Sequence, residues 1–345
     1  MEITIKDIAR KCGVGVSTVS RAINNHPDIN PKTKELVMKT IAEYNFVPNN
    51  SARNLKRTAS KTIAILVKGI SNPLFLNLVQ IFEKEISRNK YTFFQQHVDE
   101  LQDETEVALG LIKEKRLKGI VFLGGFFSHT EERLKQINVP FVISTAGIMA
   151  PMNSTDGVIF STFSVDDKKE SYKMTDYLCK QGHKKIAILG ALESDDSIGS
   201  MRLEGYREAL ADNGVPVDSD LIRFMREDIR SYSMENGYQV MKELLAKERE
   251  FTAVYAISDM QAIGACKAIL ESGRRVPEDY AVAGFDGLES TFFYEPSITT
   301  LKQPVEEIAE ASIQALFTMI RGNESVPGKV FEGTLIERES TKKIQ

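Results

Sequence analysis

Three side chains within Thr4–Asn24, TIKDIARKCGVGVSTVSRAIN, carry chemistry suited to the edge of a base pair. Arg21 can donate two parallel hydrogen bonds to a guanine in a major groove, worth about 1–3 kcal/mol of discrimination. Val16 can meet a thymine methyl group, and Ser17 can bond a base edge or a phosphate. All three point the same way only if the segment is helical. Val19 and Ile23, four residues apart, then turn inward toward Val14, Ile8 and Ala9 and leave Val16, Ser17 and Arg21 outside.

The surrounding text supplies the helices that would hold this one. Thr4 is placed to cap a first helix, with Asp7 completing something close to a capping box, and Gly13 ends it. After the turn Gly13-Val14-Gly15 the second helix begins. Asn30-Pro31 opens a third, an N-cap followed by proline at the first helical position, with Leu36, Val37, Ile41 and Tyr44 at helical spacing as its apolar set. Helix, short turn, helix is the pattern of a helix-turn-helix unit. Charge agrees: residues 1–60 hold ten Lys/Arg and five Asp/Glu, net +5, while the remainder holds 34 against 43, net −9. A basic head on an acidic body points to a polyanion partner for the head alone.

From Thr62 the pattern becomes buried strands alternating with amphipathic helices. The strand candidates are TIAILV (62–67), YTFFQQ (91–96), GIVFLG (119–124), PFVIS (140–144), KIAILG (185–190), TAVYAI (252–257) and YAVAGF (280–285). Continuous apolar strands with helical crossovers imply parallel sheets covered on both faces. The run Ile63-Ala64-Ile65-Leu66 recurs as Ile186-Ala187-Ile188-Leu189, hinting at two similar α/β halves with a cleft at the carboxyl ends of their strands. A length of 345 residues fits more than one domain, and 42% hydrophobic with 27% charged residues is ordinary for a globular chain.

Other chemistries find little footing. The sequence holds no G-x-G-x-x-G after its first strand, no phosphate-binding G-x-x-x-x-G-K-[ST], no G-x-S-x-G and no H-E-x-x-H, so an enzyme is not expected. His26, His97, His129 and His183 are scattered, His183 reading as structural. The acid pairs Asp166-Asp167 and Asp195-Asp196 read as caps and solvated turns. Cys12, Cys179 and Cys266 lie far apart, as expected of core residues in a reducing cytoplasm, and no metal site or cofactor is expected. No apolar run approaches the roughly 18 residues of a membrane span. The N-terminal text lacks an apolar signal core, so export is not expected either.

Pro48–Lys61, PNNSARNLKRTASK, reads by itself as a polar linker with one unexplained leucine, Leu55.

The text T-I-K-D-I-A-R, G-V and S-T-V-S-R-A-I-N resembles the headpiece of the LacI family of bacterial transcription regulators. FVPNNSARNLKR is similar to that family's hinge, GHKKIAILG, RLEGYREAL and SDMQAIGACKAILESGRRVPEDYAVAGFDG to its sensor body, and EPSITTLKQPVEEIAEASI to the sequence that follows. The resemblance spans nearly the whole chain. It implies a small all-α helix-turn-helix domain (1–46), a hinge helix and linker (47–60), and a periplasmic-binding-protein-like α/β body of two doubly wound parallel-sheet subdomains. The first would comprise 61–164 and 304–326, the second 165–303 and 327–345. It further implies DNA contacts from Thr4, Val16, Ser17, Thr18, Arg21 and Asn24 in the headpiece and from Asn49, Ala52, Leu55 and Lys56 in the hinge. There Leu55 would wedge into the minor groove at the dyad of a pseudo-palindromic operator, Ala52 would let two hinge helices approach, and Lys56 and Arg57 would reach phosphates. Gly15 departs from the family, which places serine there to cap the recognition helix and bond a phosphate.

The resemblance also implies an effector cleft for a small polar ligand, a sugar or sugar derivative. Arg202 would bind hydroxyls or a carboxylate, Asp286 would accept two ligand hydroxyls, and Tyr232 would be an aromatic platform. Asn72 and Phe75 would line the opposite wall, with Ser258, Asp259 and Thr145 at further contact positions. Ser258 stands where asparagine is usual, and Thr145 where some sugar-responsive members carry aspartate. The expected protein is a cytoplasmic homodimeric repressor of a carbohydrate or other catabolic operon. With no C-terminal heptad after LIERESTKKIQ, a tetramerising tail is not expected. One alternative keeps the DNA-binding role but places control in a phosphorylated carrier protein docked on the first subdomain. Another, a solute-binding protein, would share the body but need an export signal and no headpiece.

Overall fold

The computed structural model describes residues 3–23, 26–44, 46, 61–69, 72–99, 102–125, 131–146, 159–194, 198–247, 249–322, 324 and 326–344. The chain divides into two units, residues 1–60 and 61–345.

In the first unit, α1 (Ile5–Cys12), α2 (Val16–Ile23) and α3 (Pro31–Glu43) pack around Ile8, Ala9, Cys12, Val19, Ala22 and Val37. Thr4 caps α1 through a full capping box: its side chain accepts from the Asp7 amide, while Asp7 Oδ2 accepts from the Thr4 amide at 3.0 Å. Gly13 adopts a left-handed φ of 66° and donates to the Ala9 and Arg10 carbonyls, which closes the helix. The Asn30 side chain accepts from the Lys32 amide at 2.9 Å with Pro31 following, as its sequence predicts. The apolar set of α3 needs one correction. Leu36 is 48% exposed, because the buried stripe runs through Val37, Thr40 and Ile41, about 100° round the helix. Tyr44 sits at the edge of the stripe, with the Lys11 ammonium 4.0 Å above its ring.

The second unit holds two six-stranded sheets. The first is built from β1 (Thr62–Lys68), β2 (Thr92–Val98), β3 (Leu117–Leu123), β4 (Phe141–Ser144) and β5 (Phe160–Val165), with α4 (Leu74–Arg88), α5 (Glu104–Lys115) and the short α6 (Glu131–Leu134) between them. The second follows as α7 (Asp167–Lys180), β6 (Ile186–Leu189), α8 (Ile198–Asp212), β7 (Ile222–Arg223), α9 (Met234–Ala246), β8 (Ala253–Ala256), α10 (Asp259–Glu271), β9 (Ala281–Asp286) and β10 (Thr299–Lys302). The chain then returns through α11 (Val305–Gly322), which packs on α4, β3, β4 and β5. It ends with β11 (Lys329–Phe331) and β12 (Thr334–Ile336). The strand orders are β11-β5-β4-β3-β1-β2 and β12-β10-β9-β8-β6-β7, all parallel except the β10–β12 pair. The repeated Ile-Ala-Ile-Leu therefore occupies the same place twice, in β1 between β2 and β3 and in β6 between β7 and β8.

The chain crosses between the two lobes three times: between β5 and α7, between β10 and α11, and between β11 and β12. The last crossing lies further along than the expected boundary at 326/327. Lys329, Val330 and Phe331 pair with Phe163, Ser164 and Val165 and so belong to the first sheet. A three-residue strand with lysine at its start carries too little periodicity to be placed from sequence. The cysteines are core residues: Cys12 and Cys266 are buried, and burial raises the Cys266 and Cys179 thiols to about 12 and about 11, far from thiolates.

Candidate DNA interface and ligand cleft

On α2 the sequence divides cleanly by face. Val19 and Ala22 are buried and Ile23 packs against them, while Val16, Ser17 and Arg21 are exposed and Thr18 is half-buried. Thr4, itself exposed, is held by its capping box. At the start of α2 the Gly15 carbonyl accepts from the Thr18 and Val19 amides at 2.9 and 3.1 Å. A Cβ on Gly15 would meet Ser17 Oγ at 3.5 Å, an ordinary contact, so packing does not demand glycine there. Asn24, Asn49, Ala52, Leu55 and Lys56 lie outside the described residues.

The position expected of the ligand cleft centres on Asp286, the last residue of β9. Its backbone has φ 123°, a conformation that glycine tolerates and aspartate rarely adopts. Its carboxylate is 2% exposed and accepts from both lobes: from Asn72 Nδ2 at 3.1 Å and from Gln303 Nε2, on the second crossing, at 2.9 Å. Burial raises this carboxyl to about 6, against the pull of the Arg202 charge and of the two amide donors. Asn72 is fixed at its other end, because its Oδ1 accepts from the Leu74 amide at 3.0 Å. Phe75, half-buried, lies over Gly69 and Gly124; a side chain on Gly124 would come within 2.9 Å of the ring.

Arg202 projects from α8 and is 5% exposed. It reaches Asp167 because α7 and α8 cross at Gly205, where a Cβ would stand 2.8 Å from the Tyr172 amide nitrogen. Nε and Nη2 both bond Asp167 Oδ1, at 2.8 and 2.7 Å, Nη1 bonds the Ile257 carbonyl, and the guanidinium lies 3.7 Å over the Phe285 ring. Burial opposes its charge, but the Asp167 carboxylate, followed by Asp286, holds it protonated. Asp167 is itself pushed up by burial, with Arg202 as the main restraint. Asp167 was expected to be a solvated turn residue. Its neighbour Asp166 does cap α7, accepting from the Lys169 amide at 3.0 Å, but Asp167 points inward as the buried counter-ion. Asp195 and Asp196 lie outside the described residues.

Two of the expected contact residues have other work. Ser258 is fully buried as the N-cap of α10, its hydroxyl held by Gln261. Asp259 is fully buried with both oxygens used, Oδ1 by the Thr300 hydroxyl and Oδ2 by the Leu288 amide, each at 2.6 Å. Burial and the like charge of Asp286 push its carboxyl well up. Asp259 thus ties the start of α10 to β10 and to the segment after Asp286, while Ser258 serves the helix cap alone. Thr145, at φ 62°, is buried and donates its hydroxyl to the Ser144 carbonyl at 2.6 Å. Tyr232, at φ 52°, is half-buried against the core just before α9. Sequence reasoning missed Gln303 and the pairing of Asp167; the Gln-Pro that opens the crossing and the Asp-Asp after β5 were the available signals.

A helix-turn-helix unit followed by a two-lobed sensor with a polar cleft is the construction of a regulator that couples DNA binding to a ligand. The chain matches the family model "Bacterial regulatory proteins, lacI family" over residues 4–49 and "Periplasmic binding protein-like domain" over 175–341. It is 38% identical over 340 residues, 98% of this chain and 99% of the relative, to the HTH-type transcriptional regulator MalR of Clostridium butyricum. The transcriptional regulator CelR in complex with cellobiose superposes with a TM-score of 0.70 at 29% identity, covering 99% and 100% of the two chains. The lac repressor dimer bound to operator and the anti-inducer ONPF gives a TM-score of 0.72 at 23% identity over 99% and 100%, a likeness of fold. The chain belongs to the lacI family of helix-turn-helix transcriptional regulators. No helix among the described residues is long and apolar enough to cross a membrane.

Proposed function

We propose that this chain is a cytoplasmic, homodimeric repressor of a catabolic operon, released from or recruited to its operator by a small polar ligand in the cleft, a sugar or sugar derivative. One observation carries the allosteric part. A single buried carboxylate, Asp286, is bonded by the first lobe through Asn72 and by an inter-lobe crossing through Gln303. A ligand that takes either bond changes how the lobes are held, and its differential affinity for the two arrangements sets the shift between them. The exposed Val16, Ser17 and Arg21 supply base reading, with Thr4, Thr18, Asn24 and the hinge residues Asn49, Ala52, Leu55 and Lys56 as further DNA contacts. Phe75, Thr145, Arg202 and Tyr232 are the remaining candidates for ligand contact.

Relatives support the ligand class: a CelR complex holds cellobiose. The buried polar cleft favours this reading over control by a docked protein, which would need no such site. The test is an operator-binding titration of the full chain with and without a panel of mono- and disaccharides. A sugar that changes operator affinity supports the proposal; affinity unmoved by every sugar that binds the protein would sink it.

A further inference from the structure

The cleft's charges narrow the ligand beyond a small polar molecule. The buried or half-buried cations at the carboxyl ends of the strands, among the described residues, are Lys68 at the end of β1, Arg202, and Arg223 at the end of β7, which has Glu243 Oε2 4.0 Å from its Nη2. Lys68 and Arg202 each face a buried carboxylate. Lys68 Nζ lies 2.9 Å from Glu104 Oε2 and bonds the Gln102 carbonyl at 2.7 Å. The Nε–Nη2 edge of Arg202 is spent on Asp167, and Nη1 is held by the Ile257 carbonyl. With its charge matched by Asp167 and three of its five N–H donors spent, the guanidinium has little pull left for the carboxylate or phosphate that an unpaired arginine would grip.

The buried carboxylates exceed these cations. With Glu104 and Asp167 matched in these pairs and Glu170 bonded by Lys173 at 2.7 Å, Asp259 and Asp286 remain, and Asp286 is the one with an oxygen reachable from the opposite lobe, where Asn72 bonds it. The Asn72 amide marks what that oxygen accepts: a neutral N–H or O–H donor. Arg226, in the connection after β7, is likewise engaged, with Asp228 at 2.8 and 2.9 Å and Glu243 at 2.7 Å. Arg230 and Lys302 are exposed, where water screens them.

We infer that this cleft selects an uncharged, hydroxyl-bearing ligand and rejects carboxylates and phosphates, because Asp167 neutralises Arg202 and leaves Asp286 as the acceptor that a ligand meets. The inference rests on the cleft being the effector site. An anion placed beside Asp286 would lose its hydration without gaining a counter-ion, and a buried unpaired charge is strongly disfavoured. A neutral polyol replaces the Asn72 amide on Asp286 with its own hydroxyl and needs no counter-ion.

Calorimetric titration of the full chain against matched neutral and anionic sugars tests this. Suitable pairs are maltose and maltobionate, cellobiose and cellobionate, galactose and galacturonate, and glucose and glucose 6-phosphate. In any pair that binds, the neutral member should bind at least about ten-fold more tightly. Asp167→Asn, which keeps the Oδ1 acceptor but removes the counter-charge of Arg202, should narrow that gap by a similar factor. An anionic member that binds as well as its neutral partner overturns the inference while leaving the cleft as the effector site. A folded Asp167→Asn chain with an unchanged gap overturns it too. Silence from both members of every pair removes the cleft reading and this inference with it. The wild-type comparison decides the matter even if Asp167→Asn fails to fold.

Discussion

Asn72 and Asp286 meet across the cleft, the amide of one donating to the carboxylate of the other at 3.1 Å. Neither is free to turn away. The Asn72 oxygen is anchored on the first turn of α4, and the second Asp286 oxygen is held by Gln303. A ligand hydroxyl that needs Asp286 must therefore compete with a side chain of the opposite lobe, so binding and lobe arrangement are linked at one atom.

Burial raises Asp286 to about 6, above the value near 4 of an aspartate in an unfolded chain. Between those values the folded chain binds more protons than the unfolded chain. The group's cost to stability is thus absent at low pH and is complete once pH has risen through about 6. Asp286→Asn should raise Tm by roughly a few degrees near neutral pH, a gain that fades as pH falls below about 5. The same change should weaken ligand binding about ten-fold or more, because a charged acceptor is lost. Melting curves at two pH values and one binding isotherm check both halves; a lower Tm at neutral pH would contradict the burial argument.

Arg21 is exposed and bonds nothing that the fold requires, so Arg21→Ala should fold normally. Operator preference over scrambled DNA should fall about ten- to a hundredfold, the worth of one good arginine–guanine contact. Anisotropy titrations at fixed salt on the two DNAs measure the ratio. An unchanged ratio would remove Arg21 from base reading.

Gly15→Ser should be gained without cost. The built Cβ meets Ser17 Oγ at 3.5 Å, and serine caps a helix slightly better than glycine, by a few tenths of a kcal/mol. Tm should hold or rise slightly, and operator affinity should increase as a hydroxyl for a backbone phosphate is restored. A loss of affinity in the folded variant would show that the missing hydroxyl is not a deficit here.

Leu55→Ala should leave fold and effector binding intact while weakening operator binding, if the side chain opens the central minor-groove step. Equal operator affinity in the mutant would return 47–60 to the status of a spacer.

Phe292 and Phe293 are 60% and 75% exposed and stack edge to face on the second lobe, 5.1 Å between centroids. Aromatic side chains this exposed suit a contact between two copies of the chain. Phe293→Asp should shift the sedimentation coefficient toward that of the monomer and lower operator affinity with it. A dimer that survives the change would place the interface elsewhere.

The sequence made the headpiece legible almost residue by residue, because each helix carries its own local signals: a capping box, a left-handed glycine and an Asn-Pro start. The seven apolar strands were equally plain. The strands that escaped, β5, β7, β10, β11 and β12, are short or rich in Ser and Thr, and their place in a sheet is decided by partners far away in the chain. The cleft shows the same division. Arg202 and Asp286 are named by the family resemblance of the text around them, whereas the pairing of Arg202 with Asp167 depends on how closely α7 and α8 cross at Gly205. That is a tertiary fact with no periodic signature.

The final strands have a consequence for synthesis. β11 completes the edge of the first sheet and β12 the edge of the second, so the first sheet is not whole until residue 331 has been made, and the second not until residue 336. β11 follows its partner β5 by more than 160 residues, a delay on the order of ten seconds or more at ordinary elongation rates. The headpiece, whose helices lie within residues 5–43, needs no such wait. On the ribosome the headpiece is thus free to close first, while the two sheets of the body wait for their edge strands.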